Sequence, residues 1–215
     1  MLDFHVNTNS ILVDPFQSQQ DQNCLNAYDH IITRLNKCGQ NIDLQNLNNK
    51  ASQTYKITIE EKWDCKFKPV PPNIHRRNAA GRAIWTFKSH FLSILAGVAD
   101  YFPNFLWDQL LPQTVITHNI LFQSNISPTM SVWEHCHGSF NFNVTPMGPI
   151  RCPIIIQNKP VNRKSWDLRG HKGFSIGPEL NHYRCFHLIH GVTNNYSSPI
   201  QLSLSMTTLL KPYYP

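Results

Sequence analysis

The amino-acid sequence predicts an α/β unit over residues 1–145 followed by a small all-β barrel over residues 146–215. Two patterns carry that reading. Up to about residue 145, period-two alternation and helical spacing of apolar residues take turns, whereas from Pro146 onward the apolar residues come in short runs broken by glycine and proline. Composition agrees: with 41% hydrophobic and 15% charged residues, a chain of 215 can bury one or two cores and is not a disordered segment. Its 15 prolines against 9 glycines imply fixed turns rather than flexible linkers.

Residues 1–5 and 11–13 are short extended runs separated by Asn7-Thr8-Asn9-Ser10, a turn composition, so a hairpin opens the chain. Over residues 20–36, Leu25, Tyr28, Ile31, Ile32 and Leu35 recur at helical spacing, and Gly39 follows as a stop. Residues 42–47 alternate as a half-buried strand should, closed by Asn48-Asn49. A weaker helix is expected over 50–62, where Thr54 and Thr58 lower the propensity, and a strand over 65–70. Pro71-Pro72 then breaks the chain. Two longer helical patterns follow, about 78–97 and 104–122, with Pro112 expected to kink or split the second. Apolar runs at 154–156, 173–176 and 183–189 supply the β end.

No apolar run approaches the roughly 18 residues that a membrane-spanning helix requires, the nearest being Ile94-Leu95-Ala96-Gly97-Val98. The opening MLDFHVNTNS carries Asp3 where an export signal would have a basic start and a long apolar stretch, so an intracellular, reducing location is expected, with the nucleus open to it. There Cys24, Cys38, Cys65, Cys136, Cys152 and Cys185 are expected as buried thiols rather than disulfides. No internal repeat is present.

Charge is unevenly spread. Residues 1–75 sum to about −1 and residues 76–215 to about +7, giving the net +6. The excess begins at Arg76-Arg77-Asn78 and recurs at Arg163-Lys164, Arg169 and Lys172, with Trp85 and Trp166 close in sequence. Basic clusters beside aromatic residues suit a phosphate backbone, and the bland alternative is a solvated basic surface.

The string Val70-Pro71-Pro72-Asn73-Ile74-His75-Arg76-Arg77-Asn78-Ala79-Ala80-Gly81-Arg82-Ala83-Ile84 resembles the last catalytic helix of retrotransposon integrases, found in copia-like Pol polyproteins. The resemblance runs back through 42–52 and the helix at 20–36, and forward through Phe102-Pro103-Asn104-Phe105-Leu106-Trp107-Asp108 and Ser131-Val132-Trp133-Glu134. The segment from Trp166 to Phe174 looks like the SH3-like barrel that follows the core in such proteins, while the last twenty or so residues depart from the pattern. The resemblance implies a ribonuclease-H-like core over 1–145, an SH3-like domain over 146–215, and a family role in DNA integration. In that family three carboxylates hold two Mg²⁺ or Mn²⁺ ions, which activate the attacking oxygen and stabilise the leaving one.

Carried onto this sequence, the helix acid falls at Gly81 and the acid after the preceding strand falls at Asn48. The first acid belongs to a strand expected ahead of the opening hairpin. The chain is therefore expected to be a truncated, catalytically inactive integrase relative with no metal cofactor, marginal or dimeric through an exposed strand edge. What survives by resemblance is the basic helix: Arg76, Arg77, Asn78, Arg82 and Lys88 stand at positions that contact DNA, so weak, non-specific DNA binding is expected, with homo-oligomers and without a membrane partner. The competing reading is a non-enzymatic DNA-binding or protein-interaction module kept by a host.

Other clusters carry less. His182, Cys185, His187 and His190 lie on alternating faces if extended, so four ligands do not converge on zinc, and neighbours in His135-Cys136-His137 do not chelate one ion easily. Glu60, Glu61 and Asp64 read as a solvated helix end, and no nucleophile motif is present. Phe87, Phe91, Leu92, Ile94 and Leu95 are expected to face the core.

Overall fold

The opening hairpin forms because its turn residues satisfy one another. β1 (Leu2–His5) and β2 (Ser10–Val13) pair antiparallel from Leu2↔Val13 to His5↔Ser10. Asn9 takes a left-handed φ of 62°, which asparagine tolerates. The buried Thr8 hydroxyl donates to Ser10 Oγ at 2.9 Å and lies 2.7 Å from His5 Nδ1. These coordinates are a computed structural model that describes residues 1–47, 52–69, 79–97, 104–157, 164–190 and 202–206.

α1 (Asp21–Lys37) places Asp21 in its first turn and Arg34 and Lys37 in its last, complementing the helix dipole at both ends. It stops where expected. Gly39, at φ 70°, donates to Asn36 O at 2.9 Å and Gln40 donates to Leu35 O at 3.0 Å, the paired bonds of a Schellman cap. Asp14, at the end of the hairpin, holds α1 through Arg34 and His30, both at 3.1 Å.

β3 (Leu44–Leu47), α2 (Gln53–Trp63) and β4 (Lys66–Pro69) form a βαβ unit with parallel pairing from Leu44↔Lys66 to Leu47↔Pro69. The Ser52 hydroxyl caps α2 by accepting from Tyr55 N–H at 3.1 Å, which offsets the weak propensity of its threonines. The alternation expected from Ile42 is not kept: Leu44 is exposed and Gln45 half-buried, because a two-stranded sheet with helices on one side leaves its other face open. Tyr28 and Ile32 of α1 pack on Tyr55 and Ile59 of α2 and on Cys65. Asp29 adds a polar tie between the helices, accepting from Trp63 Nε1 at 2.8 Å and pairing with Lys62.

Two separate two-stranded sheets thus stand where a ribonuclease-H-like sheet would be continuous, and among the described residues no strand joins them. α3 (Ala79–Ala96) follows. The next helical pattern divides as its proline requires: Asn104–Leu110 is a 3₁₀ segment with Leu106 off helical geometry, and α4 (Leu111–Leu121) takes Pro112 into its first turn, where its missing N–H costs nothing. α5 (Val132–His137) begins on Ser131, which accepts from Glu134 N–H at 3.0 Å.

The chain groups into two compact units, residues 1–90 with 115–139 and residues 91–114 with 140–215. In the second, β5 (Pro153–Gln157), β6 (Gly170–Pro178), β7 (Cys185–His190) and β8 (Leu202–Met206) form an antiparallel meander in chain order. This corrects the expected barrel: among the described residues β5 and β8 pair on one side only, so the sheet is open. β7 starts at Cys185 rather than residue 183 because Arg184 has a left-handed φ of 52°. Both faces of the sheet carry packed apolar residues, Ile154, Ile156, Phe186 and Leu188 in one cluster and Phe174, Ile176 and Ile189 with Leu106 and Leu110 in another, although Ile155 on β5 is 60% exposed. Gly173 is required where strands approach closely, since a Cβ there would lie 2.4 Å from Ile156 Cδ1 and 2.6 Å from Ile189 O. The chain is mixed α/β with small sheets, none of them closed among the described residues.

Candidate nucleic-acid interface

α3 buries little of itself. Only Ala83 and Phe87, one turn apart, are buried, with Thr86 and His90 half-buried on the same stripe. Gly81, Arg82, Ile84, Trp85, Lys88 and Leu92 are exposed, and Trp85 retains 71% of its surface. Leu92, expected in the core, is 51% exposed, because the helical stripe that carries Ala83 and Phe87 turns it outward. Arg82 and Lys88 make no ion pair among the described residues, so both cations are available at the surface.

Gly81 is the third residue of α3, in the first turn and not mid-helix, so its propensity cost is smaller than an interior glycine's. That turn holds no acidic residue. A hard dication wants oxygen anions. Here it would meet a glycine, an arginine and the positive end of a helix dipole, so the donors of this turn do not fit Mg²⁺ or Mn²⁺. Asn48, Arg76, Arg77 and Asn78 lie outside the described residues. In the second unit Lys164, Trp166, Arg169 and Lys172 are exposed, Trp166 almost fully.

The remaining side-chain clusters behave structurally. Burial, with Cys38 beside it, pushes the Cys136 thiol up to about 12, and burial raises Cys38 also, so neither is an activated nucleophile. His187 Nε2 lies 2.8 Å from Glu179 Oε2 and is committed to that pair. Glu60, Glu61 and Asp64 are exposed at the end of α2. Among the described residues no group of three His, Cys, Asp or Glu side chains is placed to hold a metal ion. Nor, among the described residues, is any helix long and apolar enough to cross a membrane.

A cleft in the first unit was not legible in the sequence. It has a volume of about 430 Å³ and takes Phe4 and Asn9 from the hairpin, Arg82 and Thr86 from α3, and His118 and Phe122 from α4 and its end. His118 is 2% exposed, and neither ring nitrogen has a hydrogen-bond partner among the described residues. Burial, reinforced by the facing His90 and opposed weakly by Asn119, lowers its pKa to about 4. One histidine in the apolar pattern of α4 gives no warning of this, because its surroundings include α3 and, across the cleft, the opening hairpin, both far away in the chain.

No protein-family model matches the chain, and no curated protein does either. Among solved structures, a chain of the simian T-cell lymphotropic virus intasome in complex with PP2A regulatory subunit B56 gamma superposes with a TM-score of 0.46 at 11% identity, covering 98% of this chain and 78% of that one. A likeness at that level carries no functional weight.

Proposed function

We propose that this chain is a non-catalytic relative of the integrases of copia-like Pol polyproteins, with a ribonuclease-H-like front and a four-stranded antiparallel β end, that binds nucleic-acid phosphates weakly and without sequence preference. The exposed face of α3 carries the reading. Among the described residues Arg82 and Lys88 pair with no acid, Trp85 stands beside them, and the same sequence resemblance that puts DNA contacts on this helix puts the metal-binding acid at Gly81. Cations with an exposed aromatic ring supply phosphate neutralisation and a stacking surface, and neither needs a metal. No strand transfer or nuclease activity is expected, since a glycine and an asparagine cannot replace two carboxylates around two dications.

The test is fluorescence anisotropy of labelled DNA against the full chain across a salt series, with circular dichroism confirming the fold. Affinity should fall linearly in log salt, and Arg82→Ala and Lys88→Ala should each reduce the slope by about 1. A folded chain that does not bind at low salt, or variants that leave the slope unchanged, would refute the reading.

A further inference from the structure

The cleft of the first unit is held open by side-chain amides. Asn119 grips the Ile11 backbone from both directions, accepting at 3.2 Å and donating at 3.0 Å. Asn9 donates to Gln123 O at 2.9 Å and Asn125 to Val6 O at 2.8 Å. These four bonds fix the hairpin against the end of α4, so the space between them is part of the fold. Its volume of about 430 Å³ lies within the range of small-molecule sites, about 300–1,000 Å³.

The lining of the cleft is chemically mixed. His118 lines the cleft, buried and stacked on Phe122 with ring centroids 4.1 Å apart and planes 8° from parallel, with neither ring nitrogen hydrogen-bonded among the described residues. It is neutral at pH 7. Both nitrogens are sealed from solvent, so a ligand reaches them only if the ring shifts, and an imidazole left without a hydrogen bond then rewards a heteroaromatic group over a hydrocarbon. Phe4 and Phe122 add flat apolar walls. Arg82, exposed on α3, is the cleft's cation.

We propose that this cleft binds a single nucleotide, its unpaired base against Phe4, Phe122 and His118 and its phosphate at Arg82. The site goes beyond the surface reading of α3 and shares with it only Arg82. A base in a duplex is stacked and paired and does not enter such a cleft without being extruded.

The full chain is titrated with adenosine 5′-monophosphate, adenosine and inorganic phosphate, followed by calorimetry and ligand-observed NMR. The monophosphate should bind at least roughly tenfold more tightly than either fragment. His118→Phe keeps the stack on Phe122 but removes the ring nitrogens, and Thr86→Phe fills the cleft from α3. Each should weaken monophosphate binding at least roughly tenfold while leaving the salt-dependent binding of duplex DNA unchanged. Absence of binding by the folded chain, equal binding of inorganic phosphate, or indifference to both variants would overturn the proposal. If duplex binding fails and the monophosphate still binds, the surface reading falls and the cleft stands; the reverse outcome removes the cleft alone.

Discussion

α1 and α3 are nearly equal in length, 17 and 18 residues, yet they are built for different ends. α1 has charges that complement its dipole, a Schellman stop, and five buried residues, Ala27, Tyr28, Ile31, Ile32 and Leu35. α3 has no acid in its first turn, no base in its last and two buried residues, while it exposes Ile84, Trp85 and Leu92. Nothing in helix propensity demands that difference. α1 is anchored by the apolar surface it removes from water. α3 gives up part of that contribution and presents cations and a bare indole instead, an arrangement that costs stability unless something outside the chain uses it.

The sharpest way to break the comparison is to cut into each helix. Ile31→Ala in α1 should cost about 2–5 kcal/mol in denaturant unfolding, whereas Leu92→Ala in α3 should stay within about 0.5 kcal/mol. Similar losses would mean that α3 is anchored as deeply as α1.

Next in size is the pH dependence set where α3 meets α4. His118 is held down to about 4 when folded and titrates near 6.5 when unfolded, so between those values the unfolded chain takes up a proton that the folded chain refuses. Its contribution is present above pH 6.5 and is lost as pH falls toward 4, on the order of 3 kcal/mol in all. His118→Phe should flatten that part of the stability profile. If wild type and variant decline in parallel, other groups govern the acid limb.

Smaller still is the effect of placing an acid in the first turn of α3. Gly81→Glu replaces a poor helix former and supplies the missing first-turn charge, so the thermal midpoint should rise, by an amount equivalent to up to about 1 kcal/mol. Combined with Asn48→Asp it should still produce no Mg²⁺- or Mn²⁺-dependent cleavage of labelled DNA, because among the described residues no further His, Cys, Asp or Glu cluster is placed to complete a two-metal site. Cleavage by the double variant would show that the catalytic positions have been misassigned. The least effect on folding is expected of Trp85→Ala, within about 0.5 kcal/mol, accompanied by weaker binding of single-stranded DNA than of duplex relative to wild type.

Much of this architecture is visible in the sequence for local reasons. The Asn-rich turn, the spacing of Leu25 through Leu35, the stop at Gly39 and the division at Pro112 each depend on residues within a few positions of one another, and each appears in the structure close to where it is expected. Leu44 and Leu92 depart from expectation because burial depends on what covers a face, which no local pattern encodes. Closure of the β end departs for a similar reason, since it depends on whether distant edge strands meet.

The candidate sites divide the same way. The basic helix, its glycine at residue 81 and its tryptophan are facts of sequence, because charge and residue identity need no fold to be read. Which of those side chains face water was decided by tertiary packing around Ala83 and Phe87. The cleft owes its existence to packing alone. Asn9, Asn119 and Asn125 are ordinary polar residues until the hairpin and α4 come together, and His118 becomes a buried, neutral imidazole only once residues far away in the chain have excluded water from it.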